Sequence, residues 1–307
     1  MKKTRSQNLW HPQYWGAHIG LLVIRLINRL PFRFQQAIGE FFGILLLYFA
    51  RERRFVCQRN IELCFPELSP LQRKQMLKNT FKEQGIGLIE LGLAWWPNPS
   101  KLKEIGKVIG LEHLLKAQNE GKGVLLLCGH FTVLDVAGII LAQYTRFDGM
   151  YRLNNNPLIE KVSSNARKKF FDELIERRDI RKLIRRLKDK HTVWYAPDQD
   201  MGKKNTVYAP FFGVPAATLT ATSKIAKMTH AVVLPLGLRR DLNGEYIIEI
   251  HEPLKDFPTG DDIVDATRVN QTLEMMIRKS PTQYMWIHRR FKTHPQGKNY
   301  LYQKQKI

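Results

Sequence analysis

From residue 124 onward, short apolar runs alternate with amphipathic stretches, and this alternation restricts the fold more than any other feature. The runs that predict strands lie at 124–128, 148–152, 192–196, 231–236 and 246–250. Stretches with apolar residues three and four positions apart predict helices at 132–143, 157–176, 179–189 and 218–228. Strands that alternate with helices build a parallel or mixed sheet with helices on both faces. We therefore predict an α/β fold with a mixed, mostly parallel central sheet.

The first of these strands leads to the most informative polar group. The apolar run Val124–Cys128 ends two residues before His130, and Asp135 follows five positions later. Open α/β sheets place their chemistry just beyond the carboxyl ends of strands. With His130 in the turn and Asp135 in the first turn of the next helix, the two side chains can meet. The carboxylate would then fix the tautomer of the ring and leave the other nitrogen free to accept a hydroxyl proton.

This spacing occurs a second time, at His251 and Asp256, where two prolines break any helix that could position the pair. We interpret that second match as accidental. An alternative stays open for the first match. In it, Asp135 completes a capping box with Thr132, and His130 is only a polar loop residue.

Composition limits the partners of the chain. Its 307 residues are 44% hydrophobic, which is enough for a full core, and its net charge of +21 calls for an acidic partner. That partner is nucleic acid, anionic lipid or an acidic protein. The sequence has no zinc-finger, homeodomain or RNA-recognition pattern, which makes nucleic acid the weakest of the three. Cys57, Cys64 and Cys128 lack metal-ligand spacing and favour a reducing compartment, with Cys128 as core packing.

Residues 13–50 are predicted to lie in a membrane. The apolar runs Trp15–Ile24 and Phe41–Ala50 are each shorter than the ~20 residues that a spanning helix needs. Aromatic residues precede the first run and arginines follow the second, as at membrane interfaces. The segment is either one helix whose arginines snorkel or two interfacial helices, and no signal-peptide cleavage site follows it. The alternative is two helices buried in the folded domain.

The sequence pattern also predicts a domain boundary and a basic helix. The chain divides into a membrane-anchoring segment at 1–50 and a second domain at 51–307. The predicted helix 179–189 is apolar on one side and basic on the other. A solvated basic face is its simplest interpretation, and docking of an acidic protein or of anionic headgroups is the alternative.

Several ordered motifs give the chain a resemblance to a known family. The motifs are GHFTVLD at 129–135, MYRLNNNPLIE at 150–160, WYAPDQDMG at 194–202, VYAPFFGVPAAT at 207–218 and QYMWIHRRFKTHPQG at 283–297. Together they resemble the secondary acyltransferases of lipid A assembly, within the lysophospholipid and glycerol-phosphate acyltransferase superfamily. HPQYW at 11–15 and NIELCFPELSP at 60–70 are similar to the lauroyl-transferring branch.

The resemblance implies an enzyme on the cytoplasmic face of the bacterial inner membrane that needs no metal and no cofactor. It would move a fatty chain, lauroyl for this branch, from an acyl carrier protein thioester to the hydroxyl of a 3-hydroxyacyl chain on Kdo2-lipid IVA. The residues agree, because acyl transfer to an alcohol needs a base such as His130, with Asp135 to orient its ring. Two alternatives stay open. One is a lysophospholipid or glycerol-phosphate acyltransferase, and the other is a non-catalytic, membrane-associated nucleic-acid-binding or scaffold protein.

The matched motifs also supply candidate substrate contacts, which are Arg152, Asn156, Asp198, Asp200, Phe212, Gly213, Arg289 and Arg290. The resemblance assigns the first arginine to a phosphate or the oxyanion, and the two aspartates to loop or glucosamine positioning. It assigns the phenylalanine and glycine to the wall of an acyl channel, and the last two arginines to Kdo carboxylates or phosphates. Ordinary structural roles are the alternative for each: a strand-end ion pair, a turn cap, core packing or a solvated tail.

Overall fold

The computed structural model describes residues 8–303, and its strands form two sheets. The strands are β1 (Gly106–Ile109), β2 (Val124–Leu127), β3 (Asp148–Tyr151), β4 (Leu174–Glu176), β5 (Thr192–Tyr195), β6 (Thr206–Phe211), β7 (Val214–Leu219), β8 (Val232–Arg240) and β9 (Tyr246–Ile250). Seven of them form one sheet in the order β1-β9-β8-β2-β5-β3-β4, and β6 pairs with β7. Every neighbouring pair in the large sheet is parallel except β8 with β9. The predicted mixed, mostly parallel sheet is confirmed.

Helices precede the sheet and connect its strands. They are α1 (Trp15–Ile27), α2 (Phe32–Phe49), α3 (Arg51–Cys64), α4 (Pro70–Trp95), α5 (Pro99–Glu104), α6 (Leu111–Asn119), α7 (Leu134–Leu141), α8 (Pro157–Arg167), α9 (Ile180–Lys188), α10 (Ala221–Thr229) and α11 (Asp262–Lys279). All five predicted strands and all four predicted helices are present, with shifted ends. The largest difference concerns the helix predicted at 157–176, which ends at Arg167; the last three residues of that range form β4. That short edge strand depends on pairing with β3, which no local pattern reveals.

The centre of the sheet explains the apolar run that begins at Val124. β2 lies between β5 and β8, and all four of its residues are fully buried. A strand covered on both faces reads as a continuous apolar run instead of an alternating one. Cys128 continues this run and is also fully buried, which confirms its expected role in core packing.

The N-terminal segment forms two helices, so the one-helix alternative is wrong. α2 lies along α4, where glycines let the backbones touch: a Cβ on Gly85 would come within 2.1 Å of the Gly39 carbonyl oxygen. α1 also contacts α4. Within residues 8–303 we find no helix with the length and hydropathy to cross a bilayer. The expected transmembrane helix is therefore not supported, while the interfacial arrangement and the boundary at residue 50 stay predictions.

Candidate active site

His130 lies in the loop that follows β2, at the edge where the parallel strands end. A distant segment holds this loop in place. The Thr132 N–H donates to the Gln283 carbonyl at 2.9 Å, and the Met285 N–H donates to the His130 carbonyl at 3.0 Å. Between these bonds, Phe131 forms an antiparallel bridge with Tyr284. The backbone around His130 is thus held in place by one distant segment, residues 283–285.

The imidazole of His130 is bonded to Asp198, which follows β5, the neighbour of β2. His130 Nδ1 lies 2.5 Å from one carboxylate oxygen, and the His130 backbone N–H donates to the other oxygen at 2.9 Å. The Asp198 side chain is buried, whereas 29% of the His130 side chain stays exposed. Because Nδ1 donates to the carboxylate, Nε2 is left as the proton acceptor. This pair holds the tautomer that a general base needs.

Burial and charge act in opposite directions on the pair. Burial lowers the pKa of His130, but the charge of Asp198 and its hydrogen bond outweigh burial and bring the pKa above its usual value. Burial likewise raises the pKa of Asp198, yet the His130 charge and hydrogen bonds, with a further bond from Tyr284, lower that pKa to about 2. Asp198 therefore stays ionised across the physiological range. It stabilises the imidazolium that forms when His130 takes a proton.

The expected contact between His130 and Asp135 is wrong. One oxygen of Asp135 accepts two hydrogen bonds from Arg167, from Nε at 2.9 Å and from Nη2 at 2.5 Å. α7 begins at Leu134, so its first turn directs Asp135 toward the end of α8. The capping-box alternative is wrong as well, because α7 has no side-chain cap and the buried Thr132 hydroxyl has no hydrogen-bond partner among residues 8–303.

A cavity of about 740 Å³ opens beside His130, between the sheet edge, α4, α7 and the end of α8. Its walls are largely apolar, and its rim carries polar groups. Apolar side chains that line it include Leu88, Leu91, Met150, Phe171, Trp194 and Met285. Asp135 and Arg167 form a paired charge on the same lining. A cavity with apolar walls and a few convergent polar groups can hold a fatty chain with a polar head.

Two of the predicted substrate residues line this cavity. Arg152 follows β3 and is exposed, and its side chain makes no hydrogen bond or ion pair with residues 8–303. Asn156 caps α8, because its side-chain oxygen accepts from the N–H groups of Leu158 and Ile159. Arg152 is thus a free cation at the rim, and Asn156 already has a structural role.

The remaining predicted contacts lie outside the cavity lining. Asp200 is buried and ties its loop to the C-terminal segment by accepting from the Thr293 N–H and hydroxyl. Arg290 is buried and donates to the Ala217 carbonyl at 2.8 Å. Arg289 donates to Glu52 and to Asn299. Their guanidinium groups have internal partners, so their expected binding of Kdo or phosphate is not supported.

The expected channel wall is not supported either, because both of its residues have structural roles outside the cavity. Phe212 and Gly213 form the turn between β6 and β7, both with positive φ. The Phe212 ring packs on Phe65 and Trp286 in the core. Neither residue is among the described residues that line the cavity beside His130.

Sequence reasoning missed several residues around the pair. Arg167 holds Asp135, and Tyr284 and His288 stand beside Asp198. Burial, together with the nearby charge of His130, lowers the pKa of His288 to about 4, so that ring stays neutral. Tyr284 and His288 both lie in the motif QYMWIHRRFKTHPQG, which was the only signal that pointed to them.

One cluster in residues 8–303 has the geometry of a metal site, with ligand atoms of Asp148, Asp172 and His191 close together. Arg186 already occupies it. The guanidinium donates to both oxygens of Asp148, at 2.7 and 2.8 Å, and lies 2.9 Å from His191 Nδ1. The cluster is an internal ion-paired group, and none of its four residues is among the described residues that line the cavity beside His130.

Comparison with known proteins places the chain. The model of the bacterial lipid A biosynthesis acyltransferase family matches residues 2–293. The chain belongs to this family. It is 37% identical to the lipid A biosynthesis lauroyltransferase of Escherichia coli K12, over 95% of this chain and 96% of that protein. Family membership makes the protein an acyltransferase.

Two further relatives from the same organism are named for other acyl chains. The acyltransferase is 35% identical to a lipid A biosynthesis palmitoleoyltransferase, over 97% of each chain. It is 27% identical to a lipid A biosynthesis myristoyltransferase, over 97% of this chain and 93% of that protein. Because the first two identities differ by so little, overall similarity does not select one chain length.

Proposed function

We propose that this acyltransferase moves a fatty chain, lauroyl by preference, from an acyl carrier protein thioester to a hydroxyl of Kdo2-lipid IVA. The observation that carries the proposal is the His130–Asp198 pair at the mouth of an apolar cavity. The bonded carboxylate leaves His130 Nε2 as the proton acceptor, as a base for an alcohol requires. Family membership over nearly the whole chain supports the lipid A precursor as acceptor class.

In the proposed reaction, His130 carries out both proton transfers and Asp198 stabilises its charged form. His130 Nε2 takes the proton of the acceptor hydroxyl while that oxygen attacks the thioester carbonyl. The new C–O bond forms and the negative charge moves to the carbonyl oxygen. When the intermediate collapses, the C–S bond breaks and the imidazolium returns its proton to the leaving thiolate. Asp198, ionised throughout, stabilises the imidazolium between these two steps.

The acceptor is an anion, and the cavity rim offers it a cation. Arg152 is exposed on the cavity lining and makes no bond with another described residue. A guanidinium forms strong paired hydrogen bonds with phosphate. We assign Arg152 to a phosphate of the acceptor glucosamine backbone.

The acceptor is also a lipid, and the N-terminal helices support its delivery from a membrane surface. Large apolar side chains stay exposed on α1 and α2, among them Trp15, Ile19, Leu22, Phe34, Phe41 and Phe49. Phe49 keeps 80% of its surface exposed. Exposed apolar surface of this extent is typical of a membrane or protein contact. We propose that α1 and α2 lie in the cytoplasmic face of the inner membrane.

A mass-spectrometric assay tests the reaction. Purified protein with lauroyl acyl carrier protein and Kdo2-lipid IVA should give a product heavier by one lauroyl group, and His130→Ala should give none. A glycerol phosphate acceptor added in equal amount serves as the competitor. Preferential acylation of glycerol phosphate, or no mass gain with any acyl donor, would reject the proposal.

A further inference from the structure

Four exposed cations run along one side of α9. They are Arg178, just before the helix, and Arg181, Arg185 and Lys188 within it, and together we call them the α9 stripe. Residues three and four positions apart share a helix face, so the three helical members point the same way. Leu183 and Leu187 are fully buried on the other face.

The α9 stripe is unpaired, although its helix has acidic neighbours. Lys182 donates to Glu173 at 2.6 Å, and Arg186 donates to Asp148 at 2.7 Å. In contrast, no side chain of the α9 stripe makes a hydrogen bond or ion pair with any residue from 8 to 303. Like charges at this spacing repel one another, and no carboxylate among residues 8–303 lies within ion-pair distance of the stripe. An acidic surface from outside would complement the stripe.

The α9 stripe begins next to the cavity. The Arg177 N–H donates to the Tyr151 carbonyl at 2.8 Å, and Tyr151 and Arg152 both line the cavity. α9 starts three residues after this bond. Its nine residues span about 13 Å at 1.5 Å per residue. A partner seated on α9 would therefore lie beside the cavity rim.

The topology turns the α9 stripe away from the apolar surface of α1 and α2. The connection from β2 through α7 to β3 crosses the sheet in one direction, and the connection from β4 through α9 to β5 crosses it in the other. Because both crossovers are right-handed, α7 and α9 lie on opposite faces. α2 packs on α4, and α4 packs on α7. A membrane under α1 and α2 would thus lie on the far side of the sheet from α9.

We propose that the α9 stripe docks an acidic acyl carrier protein and so presents its thioester to the cavity. The inference rests on the proposed function, since it takes the donor to be held by a protein. Charge complementarity selects an acidic partner, and the opposite-face placement favours a soluble protein over anionic headgroups. Nearness to the rim lets a flexible prosthetic arm reach His130 from the docked carrier.

A charge-reversal pair with a matched control tests the docking site. Arg181→Glu/Arg185→Glu should raise the KM for lauroyl acyl carrier protein by about tenfold or more, with kcat and the melting temperature unchanged. The control is Lys74→Glu/Lys78→Glu, which has the same spacing and the same charge change on an exposed part of α4 away from the cavity. The control should leave KM unchanged.

A second donor separates this proposal from the proposed function. With lauroyl pantetheine, which has no carrier protein, the Arg181→Glu/Arg185→Glu variant should match the wild type. Direct carrier binding by fluorescence anisotropy should weaken in that variant and fall with added salt in the wild type. If the wild type transfers lauroyl from the carrier but charge reversal changes neither KM nor binding, the docking site is wrong. If the Arg181→Glu/Arg185→Glu variant binds anionic vesicles more weakly but keeps the wild-type KM, the α9 stripe binds lipid headgroups and the docking proposal is overturned.

If charge reversal weakens carrier binding but the wild type transfers no acyl chain, the proposed function fails and the docking site stands. If it neither binds the carrier nor uses its thioester, both fail.

Discussion

The imidazole of His130 separates a closed, buried region from an open cavity. On the closed side, Asp198 lies beside Tyr284 and the neutral His288 of the C-terminal segment, and Asp198 and Tyr284 are buried. On the open side lies the cavity, which has an apolar interior and carries at its rim Arg152, a cation with no partner in the described part of the chain. The closed side sets the protonation state of the ring, out of reach of substrate. The open side holds groups that can recognise substrate without altering that state.

Removing the imidazole should have the largest effect. His130→Ala should lower kcat/KM by a factor on the order of 10² to 10⁴ or more, since it removes general-base catalysis. The side chain is partly exposed, so the melting temperature should change little. Product mass spectrometry and a thermal unfolding curve measure the two quantities. A variant that unfolds instead would assign His130 to the core.

Asp198 on the closed side and Asp135 on the open side provide the sharpest test of the difference between the two sides. Because the pKa of His130 lies above its usual value, kcat/KM of the wild type should rise with pH through an acidic limb above pH ~6.5. Asp198→Asn removes the charge that raises this pKa, so the limb should move to lower pH. The plateau should also fall by a factor on the order of 10² or more, since the ring loses its fixed tautomer.

Asp135→Asn is the matched control, because it removes one carboxylate on the open side. Its acidic limb should stay where the wild type has it, since Asp135 is bonded to Arg167 and not to the ring. The pH profile of kcat/KM measures both variants. The reverse pattern, with the limb moved only by Asp135→Asn, would place that carboxylate on the imidazole during turnover.

A smaller effect is expected at the apolar end of the open side. The Phe171 ring lies between two glycines, and a Cβ would come within 2.7 Å of it at Gly149 and within 3.0 Å at Gly138. Phe171→Leu should deepen the cavity and shift the preference from lauroyl toward palmitoleoyl donors by about 10-fold to 200-fold. Competition between the two donors measures this ratio. Phe212→Leu, at a ring outside the cavity, should leave the ratio unchanged, and a shift there instead would restore the channel wall expected from sequence.

The rim cation should have the smallest effect. Arg152→Ala should raise the KM for the acceptor by about tenfold, because Arg152 is exposed and its bond should lie at the low end of the about 1.5–3 kcal/mol that a hydrogen bond to a charged group contributes. The wild type and the variant should differ less with an acceptor that lacks one phosphate. An equal loss on both acceptors would show that Arg152 does not bind the phosphate. Steady-state kinetics with the two acceptors decides between these outcomes.

The two sides of the imidazole also differ in how far they could be predicted from the sequence. The strand before His130 was predictable, because a run buried on both faces is a local signal. The partner of the ring was not. Asp135 is near in sequence, whereas Asp198 is 68 positions away and reaches the ring only because β5 lies next to β2. Arg290, an expected substrate contact, is drawn into the core by partners on β7 and α11.

The sequence by itself determined the class of sheet, the position of His130 at a strand end and, through its ordered motifs, the family. These properties depend on local hydrophobic period and on short contiguous patterns. Only the tertiary structure decided which carboxylate orients the ring, which residues line the cavity and which charges stay unpaired. Those properties depend on the order of the strands and the handedness of their connections, and they join residues that are far apart along the chain.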